Sequence, residues 1–310
     1  MATAFLSHAD CGRHDTGWGH VEHVGRLRAI TRALRSAHTL FDAVTQHEGR
    51  HATVDELALA HDRGYLASLE ATLARGGGAL DADTITSEGS WDATRAATGC
   101  VLDGVDLAVS GQAVRSFCAV RPPGHHALRD RAMGFCLTGH VAIAAHHART
   151  RHAMDRVLIV DWDVHHGNGT QALVEQDAQI RFVSMHQWPW YPGTGAADDR
   201  GPYGSVWNVP MAPGLPAATY RDALLRAVDA ATNRWTPDLV LLSAGFDCLA
   251  VDPLGGFTLE VDDIVLLTDA LVDRATHWCG GRLVSALEGG YDPDATAAAA
   301  VAHLDRLARP

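Results

Sequence analysis

The stretch VLIVDWDVHHGNG, residues 157–169, runs from an unbroken apolar segment straight into two carboxylates and two imidazoles. Four consecutive apolar residues without polar alternation read as a strand buried on both faces, the habit of a parallel sheet covered by helices on each side. Similar runs recur at 4–7 (AFLS), 117–120 (FCAV), 181–186 (RFVSMH), 238–247 (DLVLLSAGFD) and 282–287 (RLVSAL). Segments with helical spacing accompany them at 22–36, 91–109, 137–149, 217–235, 260–279 and 293–308. This alternation predicts an α/β fold with a central, mostly parallel sheet flanked by helices. With no internal repeat, linker or composition break beyond the RGGGALDAD loop at 75–83, residues 1–310 read as one domain.

The polar clusters follow strands. VLIV leads into DWDVHH, FCAV into RPPGHH, DLVLLSAG into FDC and RLVSAL into EGGY. Ligands of open parallel sheets bind outside the carboxyl ends of the strands, so four clusters distant in sequence are expected to meet in one crevice. In an extended chain Asp161, Asp163 and His165 share one face while Trp162 and Val164 share the other. A D-x-H pair on one face is a bidentate metal clip, and a catalytic zinc takes three His or carboxylate ligands while keeping one position open. Asp247, ending another apolar strand, is the natural third, because an ionised Asp there is hard to bury without a cation. The competing reading makes Asp161 and Asp163 caps of a helix starting near Gly167.

The paired His125 and His126, held by a Pro-Pro-Gly turn, suit proton transfer better than ligation, with Asp161 free to orient an imidazole. Gly289 and Gly290 allow close backbone approach before Tyr291, whose hydroxyl is suited to donating to an oxyanion. Trp188, Trp190 and Tyr191 in SMHQWPWYPGTG supply aromatic faces for a pocket wall.

Composition narrows the partners. The excess of 37 Asp+Glu over 25 Lys+Arg gives a net charge of -12 and argues against broad phosphate-backbone binding, so no direct nucleic-acid partner is expected. The six cysteines form no C-x-x-C pair and read as reduced, mostly buried thiols. No apolar run approaches the roughly 20 residues needed to span a bilayer and no secretory signal is seen, so no membrane partner and a cytoplasmic location are expected. Homo-oligomerisation is left open.

In order along the chain, HADCGRHDTGWGHVEHVGRLRAI (8–30), RPPGHHA (121–127), GFC (134–136), DWDVHHGNGTQ (161–171), SMHQWPWYPGTG (184–195), SAGFDCLAVDPLGG (243–256) and LEGGY (287–291) resemble the histone deacetylase superfamily, closest to its class II branch. That superfamily includes acetylpolyamine amidohydrolases and bacterial histone-deacetylase-like amidohydrolases. The resemblance implies an arginase/deacetylase-like fold and a zinc-dependent deacylase that hydrolyses an N-acyl amide, acetyl-lysine-like, to amine and carboxylate. Asp163, His165 and Asp247 would bind the zinc and Tyr291 would stabilise the oxyanion. His126 would accept the water proton, oriented by Asn168, and His125 would be the second imidazole, oriented by Asp161. Asn168 stands where some members carry Asp, which makes that pair less charge-assisted.

The same resemblance assigns Phe135 and Tyr191 to the walls of a narrow tube, Arg26 to an internal product channel and Asp83 to gripping the substrate backbone at the rim. It also implies a structural K+ held by Asp161, Asp163, His165 and Ser184 oxygens. Two departures stand out. The motif usually H-P-E-R-P reads HVEHV, with Val21, His23 and Val24 replacing Pro, Arg and Pro. Leu254 follows Asp252-Pro253 where acetylpolyamine specialists can carry Glu, which favours a lysine-like or neutral substrate over a polyamine, with an acylated lysine or small acylated amine as the expected substrate. A catalytically idle acyl-binding protein predicts a lost ligand, histidine or Tyr291, and none is lost. A two-manganese ureohydrolase needs more His and Asp ligands than this single clip supplies.

Overall fold

Residues 157–160 lie at the heart of a parallel sheet, with every residue of their strand buried. The structure is a computed structural model that describes residues 2–309. Its strands are β1 (Thr3–Ser7), β2 (Thr45–Glu48), β3 (Gly77–Ala79), β4 (Ile85–Ser87), β5 (Arg115–Cys118), β6 (Val157–Asp161), β7 (Ile180–Gln187), β8 (Val206–Met211), β9 (Leu239–Ala244) and β10 (Leu283–Leu287). The helices are α1 (Gly25–Ser36), α2 (His38–Ala43), α3 (Val54–Leu57), α4 (Arg63–Leu73), α5 (Ser90–Ser110), α6 (His140–His152), α7 (Asn168–Val174), α8 (Ala217–Thr232), α9 (Val261–Cys279) and α10 (Pro293–Ala308).

Eight strands form one sheet in the order β2-β1-β5-β10-β9-β6-β7-β8, and each pairing is parallel. Alternate residues feed two apolar layers. Leu158, Val160, Trp162 and Val164 pack with α1, α8, α9 and α10, whereas Val157 and Ile159 pack with α4, α5, α6 and α7. The alternation read from the sequence therefore holds through residue 164, and it leaves Asp161, Asp163 and His165 on the side away from Trp162. The four strands whose ends carry the polar clusters, β5, β10, β9 and β6, are consecutive at the centre of the sheet.

Several boundaries differ from expectation for identifiable reasons. Helix α1 starts at Gly25 rather than 22, because the His20 and His23 rings accept the amides of Glu22 and Gly25 and hold the chain in turns. Helix α8 stops at Thr232 rather than 235, just before Arg234 takes a positive φ of 55°. The 75–83 segment is not all loop: β3 and β4 form an antiparallel hairpin whose connection carries Asp83. A helix does start at Asn168, but its cap is Gly167 without a side-chain cap, so Asp161 and Asp163 are not its caps. The six cysteines are free and buried. No helix among the described residues is long and apolar enough to cross a membrane.

Candidate active site

At the carboxyl ends of β6 and β9, Asp163, His165 and Asp247 turn their ligand atoms toward one point, all within 4.8 Å of one another. His165 Nδ1 lies 3.2 Å from Asp163 Oδ1 and 3.1 Å from Asp247 Oδ2. Backbone amides fix both carboxylates: Val164 donates to Asp247 Oδ1 (2.8 Å) and Gly289 to Asp163 Oδ2 (2.9 Å). Glycine is required at two flanking positions, since a Cβ on Gly289 would fall 2.6 Å from Asp163 Oδ2 and one on Gly245 equally close to the Asp163 backbone.

Both carboxylates are fully buried, and among the described residues His165 is the one imidazole that bridges them. Burial first, then repulsion from Asp163, pushes Asp247 up to about 8. Burial alone would lower His165, but the two carboxylates raise it to about 10. Two adjacent buried acids sharing one imidazole are a charge-deficient donor set, and a dication bound by one N and two O ligands relieves that deficit. The residues therefore fit a metal centre.

The histidine pair sits beside it, ring centroids 4.0 Å apart. His125 Nδ1 donates to Asp161 Oδ2 (3.1 Å), and His126 Nδ1 donates to Asn168 Oδ1 (2.7 Å). Against a desolvation cost that lowers it, His125 is held well above its ordinary value by Asp163 and Asp161. His126 goes the other way, well below, through burial and the neighbouring His125 and His165. One imidazole is thus biased toward the cation and its neighbour toward the neutral base.

A pocket of about 250 Å³ opens above these groups, and His126, His165 and Tyr291 reach it at depth. Phe135, Tyr191, Leu254 and Asp83 line it, together with Gly134 and Trp190. Tyr191 stands edge-on to His126 at 5.1 Å, and Phe135 edge-on to Tyr291 at 5.7 Å. Phe135 adopts φ 67°, an uncommon value for a bulky residue, and its amide donates to the buried Thr84 Oγ1 (3.2 Å). Trp190 Nε1 donates to the Leu254 carbonyl (2.8 Å), joining two sides of the mouth. Burial raises the Tyr291 phenol well above its ordinary value despite the Arg26 guanidinium 4.9 Å from the ring centre, which keeps the hydroxyl a donor.

Arg26 does not line this pocket. It is fully buried behind Tyr291, donating to the Gly290 and Glu288 carbonyls (2.5 Å each) and to Glu22 (3.0 Å). His166 is turned away, between Thr194 and Gln171. Three supporting residues were not singled out from sequence. Glu288 accepts the amides of Gly124 (2.6 Å) and His125 (3.1 Å), tying the histidine turn to β10. Asp252 accepts the amides of Tyr291 (2.6 Å) and Leu254 (2.9 Å). Thr84 braces Phe135. The E in EGGY and the D of the D-P dipeptide were the available signals; Thr84 left none.

Comparison with known proteins follows the same lines. A model described as the histone deacetylase domain matches residues 20–307. The chain is 43% identical over 309 residues to the uncharacterized protein slr0245 of Synechocystis, covering 98% of this chain and 99% of that one. It is 39% identical over 245 residues to the histone deacetylase-like amidohydrolase of Pseudomonas aeruginosa, covering 77% and 64% respectively. Over 295 residues it is 36% identical to the chloroplastic histone deacetylase 10 of Oryza sativa, covering 88% and 66%. The chain thus spans nearly all of the first relative and about two thirds of the other two. The crystal structure of the HDA15 HD domain superposes with a TM-score of 0.93 at 34% identity, covering 99% of this chain and 88% of that one.

Proposed function

The chain belongs to the histone deacetylase family, and from that premise we propose that it is a zinc-dependent deacylase that hydrolyses an acyl-lysine-like amide to amine and carboxylate. The observation that carries the proposal is the convergence of Asp163, His165 and Asp247 beneath a narrow pocket that His126 and Tyr291 both reach. When bound there, zinc would supply Lewis-acid polarisation of the acyl carbonyl and acidify a water on its open position.

The chain's own residues do the rest. With Nδ1 committed to Asn168, His126 keeps Nε2 free to accept the proton of the attacking water and to return it to the leaving amine. His125, cationic beside Asp161, favours negative charge building up nearby. Tyr291 donates its hydroxyl to the developing oxyanion, held in position by Asp252 below and Arg26 behind. Phe135 and Tyr191 flank an aliphatic arm and exclude water, with Asp83 available to the substrate backbone at the rim. Leu254 at the mouth offers no carboxylate to a polyamine, which favours acyl-lysine over an acylated polyamine. The potassium ion near Asp161, the single-domain organisation and a cytoplasmic site of action belong to the same proposal. The 310 residues contain no lysine, so a Schiff-base or other lysine-nucleophile route is excluded.

The test is turnover of acyl-lysine and acylpolyamine substrates by chelated and zinc-reconstituted protein, with Asp163→Ala alongside. Zinc-dependent release of carboxylate, inhibition by hydroxamates and loss in the variant are expected. Equal, undetectable activity of the chelated and reconstituted forms across the whole panel would overturn the proposal.

A further inference from the structure

We propose that Asp106, His147 and His152 form a second metal site, remote from the pocket, that takes one borderline divalent cation such as Zn2+ and clamps α5 to α6. His147 Nε2 and His152 Nε2 both reach Asp106 Oδ1, at 2.8 and 2.6 Å. Their rings stand edge-on with centroids 5.3 Å apart, and the three candidate ligand atoms lie within 4.8 Å of one another. Positions five apart on a straight helix point roughly 140° away from each other. They converge here because His152 is the last residue of α6, just before Ala153 turns left-handed at φ 51°. Two imidazoles and one carboxylate are the donor set that Zn2+ and its neighbours favour over Mg2+ or Ca2+.

The geometry needs little change to close on an ion. Around bonds of roughly 2.0–2.2 Å, tetrahedral ligand atoms sit about 3.3 Å apart, so the carboxylate must withdraw by about half an ångström. Asp106 has that freedom, its side chain being 41% exposed, while His147 is held at 6%. A pocket of about 540 Å³ reaches Asp106 and His147 and gives an entry path. Arg50 lines the same pocket but is engaged by Glu56 and Asp103, and Arg151 also lines it. The ion-pair partners of Asp106 among the described residues are the two imidazoles alone. The His8, Asp10 and His51 cluster differs in both respects. There His8 Nδ1 already accepts the Asp10 amide, and Arg13 lies 3.6 Å from the Asp10 carboxylate and supplies its countercharge.

The experiment is equilibrium dialysis of chelated full-length protein against Zn2+, comparing wild type with Asp106→Asn, His152→Gln and Asp163→Ala, each checked for folding by circular dichroism. About one equivalent is expected to disappear in Asp106→Asn and in His152→Gln while remaining in Asp163→Ala. Turnover of the two α5–α6 variants should match wild type at saturating zinc, and an anomalous-scattering peak should sit between the three side chains. That pattern supports the second site even if Asp163→Ala takes up as much zinc as wild type, in which case the catalytic proposal alone fails. Zinc uptake by folded Asp106→Asn and His152→Gln equal to that of wild type would overturn it.

Discussion

Replacing Gly289 by alanine tests whether the two carboxylates are held where the backbone puts them. A methyl there would fall 2.6 Å from Asp163 Oδ2 and closer still to Asp247 Oδ2, whereas ordinary contact begins near 3.4 Å. Asp163 must therefore retreat by about 0.8 Å, and Asp247 by more. Neither can do so freely, because Asp163 Oδ2 accepts the Gly289 amide and Asp247 Oδ1 the Val164 amide. A misplacement on the order of 1 Å costs about 10²-fold in turnover, and disturbing ligand supports costs about 10–100-fold in metal affinity. Gly289→Ala is thus expected to lose at least 10²-fold in kcat/KM and to give up zinc at lower chelator concentration, read by steady-state kinetics and competitive chelation. Gly19→Ala, where a Cβ meets nothing within 4 Å, is the control and should behave as wild type. A folded Gly289→Ala enzyme with wild-type zinc affinity and kcat/KM within a few-fold would refute the assignment of this carboxylate pair to the metal.

Tyr291→Phe removes one oxyanion donor and should lower kcat by about 10²–10³ with little change in KM; an unchanged kcat would exclude the hydroxyl from the reaction. Asn168→Asp places an ionised partner on His126 and should raise its basicity. Since the base must be neutral to accept a proton, the acid limb of the kcat/KM profile should move to higher pH, and a shift to lower pH would contradict the pairing. Glu22 is fully buried, and against that desolvation cost Arg121 and Arg26 hold it far below the usual carboxylate range. Its stabilisation is therefore present above about pH 4.3 and lost on acidification. Glu22→Gln should cost about 3–5 kcal/mol at neutral pH and flatten the acid dependence of the urea midpoint; a midpoint curve parallel to wild type would count against it.

The centre of the sheet was legible because its strands are apolar on both faces and each ends in chemistry. The edges were not. TQHE in β2 is polar and largely exposed, and VWNVPM in β8 carries a proline that an edge strand tolerates. Neither has the continuous apolar run by which a buried strand is recognised. At the site, the side chains with an intrinsic chemical signature, such as Asp163, His165, His126 and Tyr291, were nameable one by one. Glu288 was not, since its role consists of accepting two backbone amides from a turn more than 160 residues away. Thr84 is similar, its importance arising from the left-handed backbone of Phe135, which composition does not announce.

Charge placement ties these observations together. All 25 basic residues are arginine, and a guanidinium is charged at any accessible pH, so it cannot tune a site by losing its proton. Where the chain needs a buried acid permanently paired it spends arginines, as on Glu22 between Arg26 and Arg121. Around Asp163 and Asp247 the ion-pair partners among the described residues are imidazoles, His165 for both and His125 for Asp163, with backbone amides fixing the carboxylates. A dication bound by these two carboxylates and His165 would fill that deficit beneath the pocket. The absence of lysine has a second consequence for a deacylase of this kind: no side chain within these 310 residues can carry an acyl-lysine, so one copy cannot compete through its side chains with substrate for the pocket of another.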